Sequence, residues 1–322
     1  MDASSPTGCA SSDAGNTSKG ASSGSNSTAT TATTSTTAAT ASTTASTTAS
    51  TNGGRFLRNG TVTRADLFLI GKGGHPFLSS RDAARLSHQE LSKDLDESMA
   101  RLGIEYFDFY LLHRDDPAKY SDVAEIVKTM DALVHGGKIR SWGVSNWTLA
   151  RIEAACEYAR AHGLHPPAMT SPQHSLAVPA QPVWPGCHHM TREAAAFCGG
   201  AGSSVDAASG AGGAAAGGGR ASRMVRMVWA PLAEGYMCGS LGRPESAACW
   251  NTPDNALRRK RLNELAVARA VQPSALALAF ALNSGMADMV IVGTVNEQHF
   301  QDAARATQIA LTDRDIAWLE GR

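Results

Sequence analysis

Short apolar runs alternate along the chain with longer segments in which apolar residues recur every three or four positions. The run at 107–112, FDFYLL, is too short for a helix and rich in aromatic residues, which predicts a strand buried on both faces. It stops abruptly at His113. Upstream, the segment from Ser87 to Gly103 has apolar residues at helical spacing, and Ser87 and Glu90 form a capping-box pattern at its start. The pattern therefore predicts an amphipathic helix followed by a buried strand.

The same alternation of strand and helix continues to the end of the chain. Such alternation is typical of parallel α/β proteins. Doubly wound sheets share it, but they usually carry a glycine-rich phosphate turn after the first strand, and the glycines at 71–74 do not match that motif. We therefore predict a (β/α)8 TIM barrel that is incomplete, with about six of the eight strands present. The predicted strands are 67–70, 107–112, 138–147, 168–174, 225–230 and 289–292.

Polar residues mark the ends of four predicted strands. Lys72, His113 and Gln173 each end one strand, and Ser145 and Asn146 end another. Catalytic groups of such barrels lie at the carboxyl ends of the strands, so these side chains are expected to converge. The alternatives are a surface lysine for Lys72, a core histidine for His113, and loop-capping roles for Asn146 and Gln173.

Low-complexity segments set the domain boundaries. Residues 21–51 are only Ala, Ser, Thr, Gly and Asn, which leaves almost nothing to bury, so 1–53 is expected to be disordered. The barrel domain is predicted at 54–322. A Gly/Ala-rich tract at 199–222 is expected to be a loop insertion, because loop-closure entropy grows slowly with loop length.

Charge and cysteine content limit the classes of partner and the cellular compartments that the sequence suggests. Lys plus Arg equals Asp plus Glu at 29 each, which offers no basic footprint for nucleic acid, and no stretch is apolar enough to span a membrane. Six irregularly spaced cysteines suit free thiols in a reducing compartment, so we expect a cytoplasmic protein. A Ser-rich, acid-poor start leaves a chloroplast or another organelle as the alternative. No metal is predicted, because the cysteines and histidines at 187–198 lack a paired zinc-ligand spacing.

Six segments resemble the aldo-keto reductase superfamily, and more specifically its monomeric NADPH-dependent barrel enzymes. The resemblance covers most of 54–319, and the motifs are specific as an ordered set. It implies a barrel that binds NADP(H) and reduces a small-molecule carbonyl substrate, an aldehyde or ketone, to an alcohol by hydride transfer. The segments are LFLIGKGGHP, DFYLLHRDDP, GKIRSWGVSNW, SPQHSL, WAPLAEGY and MVIVGTVNEQHF.

The resemblance also implies roles for individual residues. Lys72 and His113 match the family's catalytic lysine and histidine. His299 stands where many members have an arginine, which leaves NADPH against NADH open, although the helix N-terminus at Asn296 would favour a phosphate. The cofactor-binding positions implied are Ser145, Asn146 and Gln173 for the carboxamide, Trp229 for ring stacking, Pro231, Leu232 and Gly235 for the cofactor loop, and Gly293 and Thr294 near the adenosine phosphate.

One part of the family pattern has no counterpart in this sequence. The family's first two strands carry a catalytic aspartate and a catalytic tyrosine, and the tyrosine donates the proton to the developing oxyanion. Here that region is the Ala/Ser/Thr tract, and Tyr110 should face away from His113 because side chains alternate along a strand. Two alternatives stay open: a non-catalytic nucleotide-binding or regulatory relative, and a Schiff-base enzyme using Lys72. The glycines and His75 near Lys72 give no indication of the desolvated lysine that the second requires.

Overall fold

Parallel strands that follow one another in sequence form the centre of the molecule. The computed structural model describes residues 63–76, 84–200, 223–240 and 244–322, and the backbone of a strand at Ala38–Ser42. In these residues each strand pairs with the next in the chain, and the first and last are not paired with each other, so the sheet is open. The strands are β1 (Ala38–Ser42), β2 (Phe68–Gly73), β3 (Phe107–Leu112), β4 (Ile139–Ser145), β5 (Met169–Ser171), β6 (Val225–Val228) and β7 (Met289–Val290).

Helices connect most of these strands and pack on the outside of the sheet. This sequential winding of parallel strands is that of a (β/α)8 barrel, so the predicted fold, an incomplete barrel, is confirmed, as are all six predicted strands. The helices in the described residues are α1 (His88–Leu102), α2 (Ala124–His135), α3 (Leu149–His162), α4 (Arg192–Gly199), α5 (Pro244–Trp250), α6 (Pro253–Ala268), α7 (Pro273–Asn283), α8 (Glu297–Ala306) and α9 (Asp313–Glu320).

Strand β1 lies inside the segment that composition predicts to be disordered. Its residues pair in parallel with Phe68–Lys72 of β2. Strand pairing uses backbone N–H and C=O groups, so an Ala/Ser/Thr segment can add to a sheet edge without large apolar side chains. The structure differs from the prediction at Ala38–Ser42, and for the remainder of 1–53, which lies outside the described residues, disorder stays a prediction.

Successive residues of β3 face opposite sides of the sheet. Tyr110 packs with the residues of α1 to α3 that cover the outer face. Leu111 packs instead with Ile70, Met169 and Met227 on the inner face. The predicted alternation is therefore confirmed, and the strand-end groups of the inner face belong to a different layer from Tyr110.

Two helices were not expected from the sequence. In α4, only Ala195 and Cys198 are buried, and its composition merges with the Gly/Ala-rich tract that follows. Helix α5 has seven residues, which is too short to show a helical period. The predicted insertion at 199–222 falls, apart from its first two residues, outside the described part of the chain.

Helix α7 forms much of the core in the C-terminal part of the chain. Every residue from Ala275 to Ala281 is buried, as its apolar composition predicts. No single helix among the described residues is long and apolar enough to cross a membrane, although α6 and α7 pass that test as a pair bent by 108°.

Candidate active site

Lys72 lies near the carboxyl end of β2 and points into the barrel. Its Nζ donates to Ser145 Oγ at 3.3 Å and to Ser171 Oγ at 3.2 Å. Ser145 Oγ in turn donates to the carbonyl oxygen of Ser171 at 2.7 Å. These bonds connect β2, β4 and β5 across the inner face, so the predicted convergence of Lys72 and Ser145 is observed.

The environment of Lys72 changes its acidity. Burial lowers the pKa of Lys72 to about 8, with the Cys187 thiol opposing the shift and the Arg114 guanidinium adding to it. The lysine is therefore neither a surface residue nor a solvated one, contrary to the expectation drawn from its glycine neighbours. It holds a mixture of charged and neutral forms just above neutral pH.

His113 follows β3 directly and lies beside Lys72. Its backbone N–H donates to the carbonyl oxygen of Gly73 at 2.9 Å, which fixes the chain at the strand end. Its Nδ1 is buried and has no hydrogen-bond partner among the described residues, and its ring meets that of His75 edge-on at 4.5 Å. Burial, followed by the charges of Lys72, His75 and Arg114, lowers the pKa of His113 to about 2. The imidazole is therefore neutral at physiological pH.

Asn146 joins three parts of the site through its side-chain amide. Its Nδ2 donates to Ser145 Oγ at 3.2 Å and to the carbonyl oxygen of His113 at 3.4 Å. Its Oδ1 accepts from Trp229 Nε1 at 3.2 Å. The backbone has φ 61°, a left-handed conformation that asparagine tolerates better than most residues. The amide thus ties β3, β4 and the end of β6 together.

Gln173 connects the end of β5 to the neighbouring loop. Its Nε2 donates to Ser175 Oγ at 3.1 Å, and its backbone bridges in parallel to both His189 and Trp229. The bridge to Trp229 places the two predicted cofactor residues side by side in the extended sheet. Trp229 itself is half-buried.

The predicted cofactor loop follows Trp229. Pro231 is buried and Leu232 is half-buried, and Gly235 has φ 95°, which only glycine adopts easily. Between them, Glu234 accepts hydrogen bonds from Ser246 Oγ at 2.6 Å and Trp250 Nε1 at 3.4 Å, both on α5. The loop is therefore held against a helix that the sequence did not reveal.

Gly293 and Thr294 lie apart from this network. Both are exposed, in the turn between β7 and α8. Thr294 Oγ1 accepts from the backbone N–H of Asn296 at 3.0 Å, and Asn296 caps α8 through its side-chain oxygen, which accepts from the N–H groups of Gln298 and His299. Among the hydrogen bonds of the described residues, none joins this turn to Lys72, His113 or Asn146.

Tyr110 lies on the opposite face of β3 from the groups around Lys72. Its hydroxyl is buried on the outer face without a hydrogen-bond partner in the described residues. Burial, with a further contribution from the charge of Asp94, raises the pKa of Tyr110 above its ordinary range. A phenol in that position neither faces Lys72 nor releases a proton readily.

Sequence reasoning missed Ser171, Cys187 and Arg114 as members of the site. Arg114 Nη1 donates to Cys187 Sγ at 2.9 Å and to the carbonyl oxygen of Pro185 at 2.7 Å, which brings the loop at 180–190 over the strand ends. Burial raises the pKa of the Cys187 thiol. The position of Arg114 directly after His113 was the sequence signal that could have identified it as a site residue. Cys187 lies 74 residues after His113, so its place in the site depends on tertiary structure.

Comparison with known proteins places the chain in a family. The Aldo/keto reductase family model matches residues 45–321. A Schizosaccharomyces pombe protein whose name relates it to the beta subunits of voltage-gated potassium channels is 24% identical over 69% of this chain and 60% of its own length. The NADP(+) aldo-keto reductase yakc of the same organism is 23% identical over 82% of this chain and 71% of its own length.

A solved structure shares the fold. The crystal structure of the thermostable aldo-keto reductase Tm1743 with the inhibitor epalrestat superposes with a TM-score of 0.57 at 18% identity, over 85% of this chain and 77% of that one. The chain spans 60% of the length of the channel-subunit relative. Since the family model covers most of the sequence, this chain belongs to the aldo/keto reductase family.

Proposed function

We propose that the chain binds NADP(H) at the carboxyl edge of β2 to β6 and reduces an aldehyde or ketone to an alcohol. Family membership and relatives named as reductases support an oxidoreductase. The observation that carries the finer proposal is the hydrogen-bonded set of Lys72, Ser145, Asn146 and Trp229 at one edge of the sheet. These side chains come from three strands that are separated in sequence and meet only in the folded barrel.

The residues present suit a nicotinamide cofactor. A carboxamide needs both donors and acceptors, and Asn146 and Gln173 each offer an amide while Ser145 offers a hydroxyl. Trp229, which is half-buried, lies next to them and offers an aromatic ring. Gly293, Thr294 and the N-terminus of α8 offer hydroxyl and N–H groups to a phosphate. When bound, the cofactor would supply the hydride.

Lys72 and His113 would act on the carbonyl oxygen. Lys72 carries a positive charge below a pKa of about 8, and a buried cation stabilises a developing oxyanion. His113 is neutral and buried, so its imidazole would orient the carbonyl oxygen without adding a charge. The proton itself would come from Lys72 or from solvent, because Tyr110 faces the outer layer.

A non-catalytic role is the second candidate. The sequence contains no tyrosine before Tyr106, and Tyr110 lies on the wrong face to replace a proton-donating tyrosine. A chain that keeps the carboxamide residues but lacks that acid would bind the cofactor without turning over a carbonyl. The relative named as a potassium-channel beta subunit is compatible with a binding role.

Cofactor titration tests the part that both candidates share. NADPH fluorescence should change on binding to the wild-type chain, and the affinity should fall in Asn146→Ala and Lys72→Met. Val267→Ala, an exposed position on α6, is the matched control and should bind as wild type. Absence of binding at millimolar NADPH would refute both candidates.

Turnover separates the two candidates. The wild-type chain is given NADPH and a panel of aldehydes and ketones, and absorbance loss is followed beside His113→Ala and Lys72→Met. Reduction that both substitutions abolish establishes the reductase. Binding without turnover across the panel establishes the non-catalytic alternative.

A further inference from the structure

We propose that Asp131, His135 and His165 form a binding site for a first-row transition-metal ion, with Zn²⁺ the best match. The three residues lie at the C-terminal end of α2 and just before β5, on the outer side of the sheet. They take no part in the network around Lys72. The inference therefore stands independently of the proposed reductase function.

The ligand atoms of the three residues already lie close together. One atom from each, a carboxylate oxygen or an imidazole nitrogen, lies within 4.8 Å of the others. Asp131 Oδ1 is 2.7 Å from His165 Nδ1, and Asp131 Oδ2 is 3.2 Å from His135 Nδ1. Zinc ligands sit about 2.0–2.2 Å from the ion, so a tetrahedral site needs only small side-chain movements from these separations.

Local structure explains why the three residues meet. Asp131 and His135 are four residues apart in α2, so they share one face of that helix. His165 is held in place by its backbone, since its N–H donates to Asp131 Oδ1 at 2.9 Å and its carbonyl oxygen accepts from Trp142 Nε1 at 2.8 Å. The site is therefore built from a rigid helix and an anchored loop residue.

The chemistry of the ligand set selects the class of ion. Two imidazoles and one carboxylate suit Zn²⁺ and its neighbours, whereas Mg²⁺ and Ca²⁺ prefer all-oxygen sites. Asp131 is largely buried, while His135 and His165 have side chains that are 67% and 44% exposed, which leaves room for water on the open side of the ion. A bound ion would link the end of α2 to the segment between α3 and β5 and so stabilise that part of the barrel wall.

Zinc titration of the untagged full chain tests the proposal. Isothermal titration with zinc chloride is run on wild type, His135→Gln and His165→Gln, with His162→Gln as the matched control. His162 is an exposed histidine at the end of α3 that bonds to the carbonyl oxygen of Tyr158 and is not part of the cluster. Thermal unfolding with and without zinc is recorded for the same four proteins.

Wild type and His162→Gln should each bind one ion and unfold at a higher temperature in its presence. Each of the other two variants should bind at least about 10-fold more weakly and lose the thermal shift. Because the chain also has cysteines, Co²⁺ is used as a second probe, and its spectrum should lack a thiolate charge-transfer band. Equal zinc affinity in wild type and His135→Gln, a thiolate band, or no binding at millimolar zinc would each overturn the proposal.

Discussion

The two ends of the predicted cofactor site differ in burial and in hydrogen bonding. At the inner end, Lys72, Ser145 and Asn146 are buried, and hydrogen bonds to Ser145 Oγ connect them. At the outer end, Gly293 and Thr294 are exposed, and the hydroxyl of Thr294 bonds only within its own turn. The same family pattern thus covers a buried, hydrogen-bonded region and an exposed one.

This difference determines whether a substitution at each end mainly changes the free energy of unfolding or the free energy of cofactor binding. A buried polar side chain that loses its partner destabilises the folded chain, because the partner left behind remains desolvated. An exposed side chain regains water when its partner is removed, so its loss affects a ligand more than the fold. Substitutions at the inner end should therefore lower stability, and those at the outer end should mainly alter cofactor selection.

The largest effect is expected from Asn146→Ala. The substitution removes three side-chain hydrogen bonds and leaves alanine in a left-handed conformation, so the free energy of unfolding should fall by about 3 kcal/mol. Urea denaturation measures it. Asn146→Gly avoids the strain of the left-handed conformation, so its free energy of unfolding should fall by less than that of Asn146→Ala. A loss below about 0.5 kcal/mol for alanine would show that the inner network contributes little to stability.

A second effect comes from the buried imidazole of His113. Its folded pKa of about 2 lies below the unfolded value of 6.5, so the unfolded chain binds a proton first as the pH falls. Stability should therefore drop by about 2 kcal/mol more in wild type than in His113→Gln between about pH 7.5 and pH 5. Urea denaturation across that range measures the difference, with His162→Gln expected to follow wild type. Parallel curves for wild type and His113→Gln would show that His113 is solvated.

The inner end was largely predictable from sequence, and the reason is local. Lys72, His113, Ser145 and Asn146 each follow a short apolar run, and the carboxyl ends of parallel strands share one edge of a sheet. Their convergence follows from the spacing of apolar residues and from the order of the strands along the chain. The burial of Lys72 did not follow, because it depends on side chains that are distant in sequence, such as Ser145 and Ser171, which surround it only in the folded chain.

Other features depend on contacts that leave no local pattern. Ser171 lies in a weakly patterned strand, and its hydroxyl gains significance only from the lysine that reaches it across β3 and β4. Helix α5 is too short to show a period, although it holds Glu234 and with it the cofactor loop. Strand β1 has no apolar side chain larger than that of alanine and is defined by backbone pairing with β2. Each of these features is set by tertiary structure.

A smaller effect is expected at the outer end from Asn296→Ala. Asn296 caps α8, and loss of such a cap costs about 1 kcal/mol of stability. If the cofactor phosphate lies at this helix end, NADPH affinity should fall further than NADH affinity, because only NADPH carries the additional phosphate. Asn296→Ser retains a capping oxygen and serves as the control. Equal losses for both cofactors would place the phosphate elsewhere.

The smallest effect, and the sharpest test of the open end, is a gain of binding in His299→Arg. His299 is exposed in the first turn of α8, where its backbone N–H bonds to Asn296 Oδ1. An arginine there would add a fixed charge and a planar fork for a phosphate, but at an exposed site this is worth only about 0.5–1 kcal/mol, or roughly two- to five-fold in affinity. NADPH should gain over NADH by that factor in fluorescence titrations. Gln301→Arg adds the same charge to an exposed position of the same helix and should leave the ratio of NADPH to NADH affinity unchanged. Equal gains in both variants would mean that net charge alone selects the cofactor, without a phosphate site at the helix N-terminus.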